Sequence, residues 1–119
     1  MAWLKISTST ELVRFRTSDI VFIGADGNYS DVYLLNGKSR KLTFKLHYLD
    51  EVLQRIEKKT FVRVGKSLIV NKDYIAQINL TEQRLLLNDN RQALYEVKAS
   101  REALKTLKAQ LEEEGGEKS

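Results

Sequence analysis

The sequence predicts a mainly β fold, with one amphipathic helix set between strands and a second helix near the C-terminus. Three observations lead there. Short runs of β-branched and aromatic residues recur along the chain, separated by Gly, Asn and Asp. Helical spacing of apolar residues is confined to residues 46–58 and 100–113. Asn36-Gly37 stands between two such runs, and that dipeptide is a strong short-range hairpin signal.

Trp3–Ser7 and residues 11–16 read as paired strands about the Thr8-Ser9-Thr10 turn. In the second strand Leu12, Arg14 and Arg16 alternate with Val13 and Phe15, so one face packs and the other is solvated. Residues 20–23 are continuously apolar, which suits a strand buried on both faces. Asp26-Gly27-Asn28 ends that strand, because Gly and Asn tolerate positive φ. Alternation resumes from Tyr29 to Leu35, and Asn36-Gly37, as a two-residue turn, leads into residues 39–44. Residues 20–44 are thus a three-stranded antiparallel meander.

From Leu46 the period changes. Leu46, Leu49, Val52, Leu53 and Ile56 line one face of a helix over about residues 46–58. Asp50, Glu51 and Glu57 on its polar face would repel phosphates, so this helix is assigned to packing against a sheet, with His47 on the surface. Residues 61–80 follow as an apolar hub: strands at Phe61–Val64 and residues 68–70, the polar tip Gly65-Lys66-Ser67, a turn at Asn71-Lys72-Asp73, and a strand from Tyr74 to Ile78. Residues 83–88 and 92–97 form another hairpin around Asp89-Asn90-Arg91, with Leu85, Leu86, Leu87, Leu94, Tyr95 and Val97 in its core. The closing helix spans about residues 100–113, with Ser100 as N-cap and Leu104, Leu107 and Leu111 as its stripe. Residues 1–114 are expected to form a single domain, and residues 115–119 a frayed acidic tail.

Composition removes several classes of function. With no cysteine and one histidine, the 119-residue chain has no thiol nucleophile, no disulfide framework and no zinc ligand set. Its glycines lack phosphate-binding spacing, so neither an enzyme nor a cofactor is expected. No apolar run is long enough to span a bilayer and no signal-peptide layout opens the chain, so the expected location is cytoplasmic. The net charge is +4, but it is uneven: residues 1–101 carry 17 Lys and Arg against 11 Asp and Glu, whereas residues 102–119 carry three against five. A basic body suits a polyanionic partner, because Lys and Arg that neutralise phosphates release counterions.

FVRVGKSLIVNKDYI at residues 61–75 resembles the signature of the LytTR family of bacterial DNA-binding domains, in which F-x-R-apolar-H-(R/K)-S-apolar-apolar-V-N precedes an apolar strand. IVFIGADGNY at residues 20–29 is similar to the family's apolar-E-A-x-G-N-Y. Gly65 stands where the family usually has His, and Gly24 where it usually has Glu. The order and separation of both motifs fit over residues 10–108.

The resemblance implies an elongated fold of stacked small antiparallel sheets, which places loops in successive major grooves of bent double-stranded DNA. On this chain it implies that the loop at Asn28, Tyr29 and Ser30 faces DNA. Lys66 and Lys98 are then donors to guanine, Ser67 and Asn28 bridge to bases or phosphates, and Arg63, Lys72 and Arg101 clamp phosphates. After the last strand the family's inserted basic residue falls at Lys98 or Ala99, and Lys98 or Arg101 can fill that role. Arg63 and Asn71 carry a structural alternative, hydrogen bonding that ties the hub together. Repeated half-sites, a homodimer through residues 100–113 and an upstream receiver or sensor protein are further implications. The competing class is an interaction module of the same fold that binds a protein partner.

Overall fold

Ten strands and two α-helices form within residues 2–89 and 92–115, the residues that the computed structural model describes. Asn90 and Arg91 of the expected turn, the Leu94 side chain and residues 116–119 of the expected tail lie outside the described residues. The strands are β1 (Trp3–Ser7), β2 (Leu12–Arg16), β3 (Ile20–Asp26), β4 (Tyr29–Leu34), β5 (Ser39–Leu42), β6 (Phe61–Val64), β7 (Leu68–Asn71), β8 (Ile75–Asn79), β9 (Arg84–Asn88) and β10 (Ala93–Lys98). The helices are α1 (Leu46–Ile56) and α2 (Arg101–Glu113). The strands make three antiparallel sheets, so the fold is mainly β.

The chain divides into two compact units. The first comprises Met1–Arg63 with Ser67–Asp73. It holds the β1-β2 ribbon, α1 and the five-stranded sheet in the order β5-β4-β3-β7-β6. Alternation on the ribbon puts Leu4, Ile6, Val13 and Phe15 inward. There they join Ile20, Ile23, Val32 and Leu42 of the sheet and the α1 stripe of Leu46, Leu49 and Leu53 in one apolar cluster. On the outer face of the ribbon, the Arg14 and Arg16 guanidinium carbons lie 4.4 and 5.0 Å from the Trp3 ring centroid, a cation–π arrangement.

Two local departures from the sequence reading have clear causes. Helix α1 stops at Ile56 because Glu57 leaves helical dihedrals (φ −144°). The Glu57 carboxylate then accepts from the Ala2 backbone N–H and from the Thr17 and Thr60 hydroxyls. The β4–β5 connection is a three-residue loop, not the two-residue turn expected from Asn36-Gly37: Leu34 N donates to Lys38 O at 2.9 Å and encloses Leu35, Asn36 and Gly37. Asn36 Oδ1 accepts from Lys38 N, and Gly37 takes φ +81°, the left-handed residue such a loop needs. Asp31 consequently faces Lys41 and Ser30 faces Leu42, one residue away from the register of a two-residue hairpin.

The second unit comprises Val64–Lys66 with Tyr74–Ser119. Its three-stranded sheet runs β10-β9-β8. Ile78, Leu85 and Val97 share one row of the register, while Asn79, Arg84 and Lys98 share the next, on the opposite face. Leu85, Leu87 and Val97 are buried, as are Leu104 and Leu107 from the apolar stripe of α2. Ser100 caps α2 as its sequence position predicts, its hydroxyl accepting from Ala103 N at 3.2 Å.

Candidate nucleic-acid interface

Two groups of side chains are relevant, one in each unit. In the first unit, antiparallel pairing fixes which loops share an end of the five-stranded sheet. The end of β3 meets the start of β7, with Gly24 opposite Leu68 and Ala25 N donating to Ser67 O at 2.8 Å. Ser67 therefore lies at the same end as the β3–β4 turn. Gly27 forms that turn at φ +61°, leaving Asn28 and Tyr29 exposed. Asn28, Tyr29 and Ser67 are thus brought together.

Three other candidates of this unit are placed differently. Ser30 is fully buried, and its hydroxyl donates to Phe44 O at 2.7 Å, so it secures the chain entering α1 and has no surface to offer DNA. The expectation that it faces DNA is corrected on that ground. Arg63 is half-buried, with a guanidinium nitrogen 3.8 Å from the Asp50 carboxylate of α1, in keeping with its structural alternative. Lys72 follows β7 at the other end: its N–H donates to Thr60 O at 2.8 Å. The four residues of β7 lie between them and put Lys72 roughly 16 Å from Ser67 along the strand, so the two do not share a tip. Asn71, beside it, is 1% exposed. Its amide donates to Ile20 O and its oxygen accepts from Asp73 N, both at 3.0 Å.

In the second unit the hub tip meets the start of α2. Gly65 has φ +64°, and a side chain there would bring its Cβ to 3.4 Å from the Ala103 Cβ. The exposed Lys66 follows Gly65, and the exposed Arg101 opens α2 two residues before Ala103. Lys98 ends β10 opposite Arg84, and its ammonium donates to Glu82 O at 3.4 Å. Arg84 pairs with the carboxylates of Glu82 (2.7 Å) and Glu96 (3.5 Å), so Lys98 lies beside a surface group with one acid in excess.

The sequence reading missed Lys41. Its ammonium lies 2.8 Å from Asp26 Oδ2 and 3.1 Å from Asp31 Oδ1, with the Tyr29 ring centroid at 5.7 Å. The hydrogen bond from Lys41, with its charge adding, holds the Asp26 carboxyl below its ordinary value. Hydrogen bonds to Asp26 and Asp31 hold the Lys41 ammonium above its own. The signal that would have found it is the cross-strand pairing of Asp31 with Lys41, which the two-residue hairpin register conceals.

A mainly β module that offers cations and amides from its connecting turns is the class these features define. The family model described as the LytTr DNA-binding domain matches residues 10–112, and the chain belongs to that family of DNA-binding domains. Among solved structures, one described as the LytTr DNA-binding domain of a methyl-accepting/DNA response regulator from Bacillus cereus matches with a TM-score of 0.68. That match covers 93% of this chain and 97% of the other at 18% identity, a likeness of fold. No curated protein matches the chain. Among the described residues, no helix is long and apolar enough to cross a membrane.

Proposed function

We propose that this domain binds double-stranded DNA sequence-specifically, with its turns in the major groove, as the cytoplasmic output domain of a bacterial transcriptional regulator. One observation carries the proposal: the exposed Lys66 stands on the turn at Gly65 that approaches Ala103 at the start of α2, the helix that the exposed Arg101 opens. Lys66 is suited to donate to guanine O6 and N7, and Arg101 to clamp a phosphate at the start of α2. Asn28, Tyr29 and Ser67 supply a second group of contacts from the first unit, and Lys98 a supporting one. Lys72 and Arg63 are left with backbone-phosphate or structural roles. The B. cereus relative is described as part of a response regulator, which favours an input from an upstream receiver or sensor protein. Dimers on repeated half-sites fit the same role.

The test is selection from a random duplex pool, followed by titration of the selected site and of random duplex at several salt concentrations. A DNA reader shows sequence enrichment and a steep salt slope. Lys66→Ala lowers discrimination by about 1–3 kcal/mol at the positions it reads, with the fold intact. Failure to enrich any sequence would favour the protein-interaction module instead.

A further inference from the structure

The β3–β4 turn carries an electrostatic problem that its own residues do not solve. Asn28 and Tyr29 lie between Asp26 and Asp31, and register and alternation put Asp26, Tyr29 and Asp31 on one face of the sheet. A phosphate approaching Asn28 would meet two carboxylates. Lys41, on the neighbouring strand β5, faces Asp31 in register and reaches across β4 to Asp26. One ammonium thus bridges both acids and also stands near the face of the Tyr29 ring. An exposed ion pair of this kind ordinarily contributes little to stability, so folding alone does not account for the arrangement.

We propose that Lys41 is a positioning residue for DNA recognition: by bridging Asp26 and Asp31 it fixes the turn and halves the negative charge that opposes a polyanion at Asn28 and Tyr29. This deepens the DNA-binding proposal above and rests on it. Lys41 acts through the two carboxylates and needs no contact with DNA.

The whole chain is titrated into its selected duplex by fluorescence anisotropy, as wild type and as Lys41→Met, Lys41→Arg, Asp26→Asn/Asp31→Asn and the triple variant, with circular dichroism to confirm folding. Losing one positive charge beside two carboxylates within about one screening length of the phosphates weakens binding about two- to fivefold in Lys41→Met. The loss shrinks as salt rises. Lys41→Arg keeps wild-type affinity, and removing both carboxylates in the Lys41→Met background restores it. Wild-type affinity in Lys41→Met overturns the proposal. A loss that the two Asn substitutions fail to restore does so too, since Lys41 would then be a phosphate contact itself. A wild-type chain that selects no sequence and shows no salt-dependent binding overturns the DNA-binding function, and this role with it.

Discussion

The two units use their polar side chains in opposite ways. Among the described residues, Thr17, Ser30 and Asn71 are the buried polar side chains, and all belong to the first unit. Each reaches another segment: Thr17 bonds to Glu57, Ser30 to Phe44 and Asn71 to Ile20. In the second unit the ion pairs of Arg84 with Glu82 and Glu96 and of Lys108 with Glu112 lie where water reaches them. Such pairs contribute little, whereas an unsatisfied buried group costs about 1–3 kcal/mol. A polar residue in the first unit is therefore more often a strut, and one in the second unit is more often available to a partner. The candidate contacts follow this in part: Ser30 and Arg63 are committed to the first unit, whereas Lys66 and Arg101 of the second, like Asn28 and Tyr29 at the first unit's turn, are exposed.

The sharpest break of this contrast is in the core. Leu49→Ala, at a fully buried position of α1, should lower stability by about 2–5 kcal/mol, measured by chemical denaturation. Asn71→Ala comes next. It removes a donor to Ile20 O and an acceptor for Asp73 N, and should cost about 1–3 kcal/mol by the same measurement. Arg101→Ala should leave stability within about 0.5 kcal/mol of wild type, as exposed substitutions generally do. It should weaken binding similarly for all DNA sequences and reduce the salt slope by about one. Equal stability losses in Asn71→Ala and Arg101→Ala would erase the distinction between the units.

The smallest effect concerns pH. Because Asp26 titrates below its ordinary 3.8 in the folded chain, its contribution is present above that value and is lost as pH falls through the lowered one. Lys41 titrates above its ordinary 10.5, so its contribution is present below that value and is lost as pH rises through the raised one. The pair should therefore be indifferent to pH between about 4 and 10. Carboxyl NMR titration should find the Asp26 midpoint below 3.8, returning towards 3.8 in Lys41→Met.

Local chemistry made much of the fold legible. Ser100 is followed by a leucine stripe, and it caps α2 where expected. The alternation of Val13 and Phe15 with charged residues gave the ribbon its inner face. Long-range pairing was less accessible. Ser30 looked like a turn residue because its partner, Phe44, lies 14 residues away. Lys72 seemed to share a tip with Ser67 because the two are near in sequence, yet strand β7 lies between them. Arg63 alternates like an outward residue, and only the placement of α1 brings Asp50 to it. Lys41 was hidden by a single-residue ambiguity: Asn36-Gly37 serves a two-residue or a three-residue loop, and both accept Gly37 at positive φ.

That ambiguity is physically consequential for which face of β5 meets the core. Were Asn36-Gly37 to close as a tight two-residue turn between Leu35 and Lys38, β5 would slide by one position against β4. Lys41 would then be directed towards the oily interior and Leu42 towards water. A change of closure at a distant bend, touching no residue of the recognition surface, would strip that surface of its counter-ion.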